Sequence, residues 1–429
     1  MSAPLTVALL GGGTVGASVA AWIDENSEDL AARIGRPIKV TAVAVANASK
    51  PRPGVAKELL TEDTAAVAAS GADIVVELIG GIEPAKSLIE AAIKAGSSVV
   101  TANKALLAAH GGELHKLAEA QGVDLYYEAA VAGAIPLLRP LRESLAGDKV
   151  TRVLGIVNGT TNFILSKMYD DGADYATVLK EAQELGYAET DPTADVEGFD
   201  SAAKAAILSG LAFHSNVTSD DVYREGMSTV SAQDIAAAKS LGYVIKLLAI
   251  ADLTEDGKGV ITRVHPAMIP AEHPLASVGD AFNAVFVEAE AAGPLMFYGR
   301  GAGGKPTASS VVGDIVAAAR NRVAGHLGPA QSVYADLEVR PIGEAQTSYY
   351  YNLRVADQSG VLAAIASEFA KHDVSIQAVR QDGEGADANL IIRTHRASDS
   401  QLRATVDALR EMSAVREVVG VMRVEGGAA

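Results

Sequence analysis

Short apolar runs alternate with stretches of helical periodicity through the first third of the chain. The runs Thr6–Leu10, Ile38–Ala46, Ile74–Leu78, Ser98–Thr101 and Asp124–Glu128 predict strands, and Pro84–Ala95 and Glu113–Ala120 predict helices between them. Such alternation is expected of an open parallel sheet wound by helices on both faces. From about Thr151 the pattern changes to strands such as Arg152–Val157 and Ala284–Glu290 mixed with helices such as Tyr175–Leu185 and Ser201–Phe213, the habit of an α+β unit. Pro306 to about Val323 reads as a helix returning to the first unit, and Asp336–Thr347 as a linker. The last stretch orders as strand, helix, strand, strand, helix, strand over Tyr350–Ala356, Val361–Lys371, Ser375–Arg380, Asn389–Thr394, Gln401–Met412 and Arg416–Val424, a βαββαβ ferredoxin-like arrangement.

The first strand runs straight into Gly11-Gly12-Gly13-Thr14-Val15-Gly16, and an alanine-rich helix follows at once. In that setting Gly11 allows the tight turn, Gly13 lets a pyrophosphate approach the backbone, and Gly16 lets helix and strand pack closely. The free amides at the helix start, including those around Thr14 and Val15, point at the phosphates. The fold class is therefore α/β, with a Rossmann-type doubly wound domain over 1–135 to which 305–335 returns. An α+β domain over 136–304, the linker at 336–347 and a ferredoxin-like domain over 348–425 complete the expected organisation.

Length and composition fit this picture. The 429 residues are 49% hydrophobic and 21% charged, enough for two or three domains with substantial cores. A net charge of −17 opposes a general nucleic-acid or anionic-membrane surface. The first apolar run is a short strand ending in glycines, so neither a signal peptide nor a spanning helix is indicated, and a cytoplasmic location is expected. There is no cysteine, which excludes aldehyde oxidation through a thiohemiacetal. Histidines are scattered, with His110 and His115 off the i, i+4 spacing, which argues against zinc-assisted hydride transfer.

Charge also bears on the cofactor. Between Asp29 and Glu58 there is no acid to hold ribose hydroxyls, whereas Arg33, Arg36, Lys39, Lys50, Arg52 and Lys57 are basic. Lys50 and Arg52, just past the end of the second strand, suit the 2′-phosphate of NADP, with NAD the alternative and a solvated loop the plain one.

Catalytic candidates are polar residues at strand ends, where open α/β sheets place ligands. Strand Ser98–Thr101 empties into Asn103-Lys104, and the loop from Glu189 carries five acids, Glu189, Asp191, Asp195, Glu197 and Asp200, before an apolar helix that begins near Lys204. Taken alone, Lys104 is the kind of residue found as a surface lysine, and Asp200 with Lys204 reads as an exposed i, i+4 pair contributing ~0.3–0.5 kcal/mol. Against the plain reading, the helix that follows is apolar nearly all round and so expected to be buried. A lysine held beside a carboxylate stays cationic and can donate a proton, as reduction of an aldehyde requires. The run Gly299 to Lys305 falls one residue short of a phosphate-binding P-loop because Pro306 stands where a Ser or Thr would bind Mg²⁺, so a glycine hinge is the expectation.

Together, Gly11 to Gly16, Glu77-Leu-Ile79-Gly80-Gly81, Thr101-Ala-Asn103-Lys104, Asn158-Gly-Thr-Thr-Asn162, Gly186-Tyr-Ala-Glu189-Thr-Asp191-Pro and Asp200-Ser-Ala-Ala-Lys204 resemble the homoserine dehydrogenase family in the form with a C-terminal ACT domain. The resemblance runs from the first strand to about Val424. It implies reduction of L-aspartate 4-semialdehyde to L-homoserine with NAD(P)H on the route to threonine and methionine. By the same resemblance Lys204 donates the proton, Asp200 orients it and binds substrate, Glu189 binds the substrate ammonium, and Lys104 contacts substrate and cofactor. Ile79, Gly80, Gly186 and Gly303 would border the cofactor. A monovalent cation, sodium, would take mostly main-chain carbonyls of Glu128, Val131, Gly133 and Ile135, hard oxygen ligands suited to such an ion. The family further implies that 136–304 is the catalytic and dimerisation domain, a homodimer or homotetramer, and L-threonine as feedback effector. Two positions depart from the family pattern: Ala46 stands where the second strand often ends in a basic residue, and Ser359 where a proline commonly precedes the ACT loop glycine, Gly360. Another Rossmann oxidoreductase acting on a small amino acid, and a non-catalytic amino-acid-sensing ACT protein, are the alternatives.

Overall fold

A computed structural model describes residues 3–330, 333–383 and 387–427; the parts of the expected ranges at 1–2, 331–332 and 384–386 lie outside them. The N-terminal sheet has six strands, all parallel, in the order Leu60–Thr61, Ile38–Ala44, Leu5–Leu10, Ile74–Glu77, Ser98–Thr101, Leu125–Tyr126. This is the doubly wound order in which the chain reverses direction beside the first strand, opening a crevice at the carboxyl ends of the strands. One face is covered by the helices Thr14–Glu25 and Gly304–Ala324, whose Val19, Ile23, Val311 and Ile315 are buried with Leu5, Val7 and Leu9. The other carries Ala85–Lys94 and Lys104–Gln121 through Leu88, Ile89 and Leu106.

Three elements of this first part differ from the expected ones: the strand expected over Asp124–Glu128 is only Leu125–Tyr126, because Glu128 already opens the tight turn Glu128–Ala130. The second strand stops at Ala44, before Ala46. The helix expected over Glu113–Ala120 begins instead at Lys104, capped by Asn103, whose Oδ1 accepts the Leu106 N–H at 3.1 Å. Gly111 and Gly112 lie inside it; a Cβ on Gly112 would come within 3.2 Å of Asn216 Oδ1, so the glycine there permits close approach rather than ending the helix.

The rest of the chain forms one large mixed sheet. Its path runs Gly293–Arg300, Phe282–Ala289, Val150–Ile156, Tyr243–Leu253, Gly259–Pro270, Val415–Val424, Gln346–Ala356, Asp387–Thr394, Ile376–Asp382. The last four strands are the antiparallel 4-1-3-2 sheet of the ferredoxin-like domain, covered by helices Val361–Lys371 and Asp399–Glu411. That domain is joined to the preceding one by strand pairing. Along one edge of Gly259–Pro270 lie three short parallel partners end to end: Glu338–Val339 beside Gly259 and Val260, Tyr223–Arg224 beside Arg263 and Val264, and Arg423 with Val424 beside Ala267 and Met268. The segment expected to be a plain linker thus contributes a strand of its own. Under this sheet is the helix Phe199–Ala212, buried over most of its length as its apolar composition dictates. Among the described residues no helix is long and apolar enough to cross a membrane.

Candidate active site

The glycine loop has the shape its spacing demands. Gly11 has φ +113°, and a Cβ there would lie 2.7 Å from Leu78 O; a Cβ on Gly16 would lie 2.0 Å from Gly11 O. Gly13, by contrast, faces open space, with nothing within 4 Å of where its Cβ would be. It precedes a helix whose first amides have no side-chain cap, and Thr14 and Val15 open that helix. A cradle closed on the protein side and open at Gly13 fits a dinucleotide pyrophosphate. Arg52 is half-buried beside the loop, its Nε 3.8 Å from the position of a Gly12 Cβ and without a hydrogen-bond partner among the described residues. Lys50 is exposed.

Opposite the loop, buried Glu77 accepts the amides of Ile79 at 2.8 Å and Gly80 at 2.9 Å and the Thr101 hydroxyl at 2.6 Å, which fixes the turn over which Ile79 and Gly80 project. Gly303 caps the helix Gly304–Ala324, and a Cβ on Gly304 would sit 2.9 Å from Thr14 Cγ2, so this glycine turn abuts the dinucleotide loop.

The two lysines meet at one carboxylate. Lys104 Nζ is 2.5 Å from Asp200 Oδ1, and Lys204 Nζ is 2.7 Å from Asp200 Oδ2. Lys204 also donates to Val157 O at 2.6 Å, so its ammonium is held from two sides, whereas the Lys104 side chain is 44% exposed and reaches in from the first domain. Asn158 closes the cluster: its Oδ1 caps the helix Gly159–Asp171 through Thr161 N–H, and its Nδ2 donates to Asp195 Oδ1 at 2.7 Å and Asp200 Oδ2 at 3.0 Å. Burial pushes the Asp200 carboxyl up, but Lys204 and Lys104 outweigh it and hold the group well below the usual carboxylate range. Asp195 goes the other way, raised by burial and by neighbouring Asp200 against its Asn158 hydrogen bond. Asp195 is one of the five acids of the loop and Asn158 opens one of the family-like segments, but neither takes a role from the sequence alone.

Not every candidate joins this cluster. Glu189 is exposed, its carbonyl accepting from Gln183 Nε2 at 3.1 Å, and among the described residues no cation pairs with its carboxylate. Gly186, at φ +77°, is exposed in the same loop.

In the segment from Glu128 to Ile135 the Glu128 carboxylate is already engaged by the amides of Leu137, Leu138 and Arg139 at 2.5, 2.7 and 2.9 Å. What it can offer an ion is its carbonyl. Ala132 and Gly133 both have positive φ, which turns successive peptide groups, and a Cβ on Gly133 would lie 2.3 Å from Gly301 O. Among the described residues no group of three or more His, Cys, Asp or Glu side chains could hold a metal, so any ion here would rest on carbonyls.

A Rossmann sheet with an open glycine loop, and a lysine–carboxylate–lysine cluster to which Lys104 reaches from the end of strand Ser98–Thr101, define a nicotinamide-dinucleotide oxidoreductase. Residues 136–316 match the model of the homoserine dehydrogenase family, residues 11–128 its NAD binding domain and residues 352–413 the ACT domain. The homoserine dehydrogenase of Corynebacterium glutamicum is 56% identical over 423 residues, covering 98% of this chain and 95% of the relative. The chain belongs to the homoserine dehydrogenase family. Among solved structures, a homoserine dehydrogenase from Thiobacillus denitrificans superposes with a TM-score of 0.91 at 42% identity, covering 99% of this chain and 98% of that one. A hyperthermophilic archaeal homoserine dehydrogenase in complex with NADPH superposes with a TM-score of 0.63 at 26% identity, over 77% of this chain and all of that one.

Proposed function

We propose that the enzyme reduces L-aspartate 4-semialdehyde to L-homoserine in the cytoplasm, on the route to threonine and methionine. The observation that carries this reading is the convergence of Lys104 and Lys204 on Asp200 beside the dinucleotide crevice. A bound nicotinamide dinucleotide supplies the hydride. Lys204, fixed by Asp200 and Val157 O, donates the proton that the carbonyl oxygen needs as its carbon is reduced. Lys104, from the other domain, holds substrate against the cofactor side, while Asp200 keeps both ammonium groups in place and contacts substrate. Glu189, exposed and with no cation of its own, takes the substrate ammonium, and Asp195 shares that task. Gly186 and Gly303 flank the nicotinamide half.

NADP is the preferred cofactor in this reading: Arg52 beside the glycine loop and exposed Lys50 would pair a 2′-phosphate, and the archaeal relative was solved with NADPH. Sodium on the carbonyls of Glu128, Val131, Gly133 and Ile135 is a structural ion that fixes the turn against Gly301. L-threonine is the effector of the ACT domain, and the enzyme works as a homodimer or homotetramer.

The decisive experiment follows NADPH oxidation with aspartate semialdehyde against glyoxylate, pyruvate and α-ketoglutarate. A strong preference for the semialdehyde is expected. Indifference among the four would favour a different small-substrate oxidoreductase, and no turnover of any would favour an amino-acid sensor.

A further inference from the structure

One short segment touches both the acidic loop of the active site and the ACT domain. On the active-site side, Arg224 donates to Glu197 O, and its guanidinium carbon stacks 3.5 Å from the centre of the Phe199 ring. Met227 N–H reaches Val196 O at 2.8 Å and Ser228 Oγ reaches Glu197 Oε1 at 2.6 Å. These contacts bracket Gly198, which has φ +78° and whose Cβ would lie 3.3 Å from Arg224 Cγ. The backbone from Val196 to Phe199 is thereby pinned between the two carboxylates at Asp195 and Asp200.

On the other side, Glu225 takes two hydrogen bonds from Arg423 at 2.9 and 3.2 Å and an ion pair from Arg403 at 3.4 Å. Both arginines belong to the ACT domain, and both hold Asp399, the first residue of its second helix, at 2.7 and 2.6 Å. Tyr223 and Arg224 pair with Arg263 and Val264 on the same strand edge where Arg423 pairs with Ala267. A shift of the last ACT strand therefore pulls on Glu225, and Glu225 is the neighbour of the residue that grips the loop.

We propose that the segment from Tyr223 to Ser228 is the part through which the ACT domain sets the acidic loop, with Arg224 as its positioning residue and substrate affinity as the quantity controlled. The proposal rests on the reading that Asp195 and Asp200 face the substrate. A loop relaxed by a fraction of an ångström misplaces the groups that hold and orient the substrate, which weakens its binding. The cofactor crevice, built from other elements, is not touched.

The test is steady-state kinetics of the full-length enzyme with aspartate semialdehyde and NADPH. Arg224→Met is expected to raise KM for the semialdehyde by roughly 10-fold or more with KM for NADPH unchanged, and Arg224→Lys, which keeps a cationic donor, to lose less. Arg423→Met, a change in the ACT domain, is expected to move the same KM in the same direction. The double variant is expected to be no worse than the poorer single one, because both act on one route. Should Arg423→Met fail to fold, Arg403→Gln removes a half-exposed partner of Glu225 and Asp399 instead. An active wild type with unaltered semialdehyde KM in the ACT-side variant, or with strictly additive effects, would overturn the proposal alone. A wild type inert toward the semialdehyde would overturn the functional reading and this proposal with it.

Discussion

Lys104 Nζ lies 2.5 Å from Asp200 Oδ1, although one residue opens a helix of the dinucleotide domain and the other sits in the first turn of a helix buried under the second sheet. The ion pair is therefore also a contact across the crevice. Asp200 can serve two cations because it has two oxygens: Lys204 occupies the inner one, and Lys104 the one facing the opening.

That division of labour predicts different losses for the two lysines. Lys204→Ala is expected to lower turnover by at least ~10²-fold, the scale of general acid catalysis, with NADPH affinity nearly intact. Lys104→Ala is expected to raise the semialdehyde KM as well. Stopped-flow turnover with a fluorescence titration of NADPH checks both, and near wild-type turnover in Lys204→Ala would remove that residue from proton transfer.

Gly16→Ala should damage the cofactor site through the backbone alone. The new Cβ would meet Gly11 O at 2.0 Å, and neither the strand end nor the helix start has a flexible atom to give way. Overpacking of this kind costs about 1–3 kcal/mol, so a lower melting temperature together with weakened NADPH binding is expected. Binding at wild-type strength in a calorimetric titration would mean the helix can slide away.

Lys246 is buried beneath the helix Gly159–Asp171, donating to Asn162 Oδ1 at 2.9 Å and Val278 O at 2.6 Å. Burial lowers its ammonium from the ordinary 10.5 to about 8. Between those two values the unfolded chain binds more protons than the folded one, so this group makes folding stability rise with pH across the window and lose that gain as pH falls through about 8. Melting temperatures of wild type and Lys246→Met, compared at several pH values in the window, should converge or diverge accordingly: the wild type gains on the variant as pH increases. Parallel curves would contradict the lowered value.

Glu425 is the anion of a buried network, pairing with Arg152 and, at 2.9 Å, with Arg263, and accepting Thr347 Oγ1 at 3.1 Å. Burial raises its carboxyl, yet the two guanidinium groups win and bring it down to about 2. Its contribution to stability is complete above the ordinary 4.5 and is lost as pH falls toward 2. Glu425→Gln leaves the buried Arg152 and Arg263 to share Asp252 and is expected to cost about 3–5 kcal/mol in urea unfolding at neutral pH. A loss under 1 kcal/mol, the scale of an exposed pair, would place the network in water.

The glycine loop and the Asp200–Lys204 pair were legible because their geometry is local: one is a turn fixed by missing side chains, the other a helical i, i+4 relation. The meeting of Lys104 with Asp200 is a tertiary event that no periodicity encodes, and the same holds for Asn158 bridging Asp195 and Asp200. Gly111 and Gly112 hid the true start of the helix at Lys104, because a glycine pair that serves close packing looks like a break. The long strands Tyr243–Leu253 and Gly259–Pro270 are covered on both faces, so they show no alternation; Lys246 and Arg263 interrupt them with buried cations that bond Asn162 and Glu425, far along the chain. For the same reason nothing in the pattern announced that the ferredoxin-like unit would extend the preceding sheet.

Two of the three neighbours along Gly259–Pro270, Glu338–Val339 and Arg423 with Val424, come from beyond the helix Gly304–Ala324, so this strand depends on the C-terminal part of the chain. Deleting the ACT domain would strip Ala267 and Met268 of their strand partners and take Glu425 from Arg152 and Arg263, leaving these two to share Asp252 beside an open strand edge where foreign chains can dock. The ACT domain is therefore better probed by point substitution than by clipping, since its last strand also completes the sheet of the neighbouring domain.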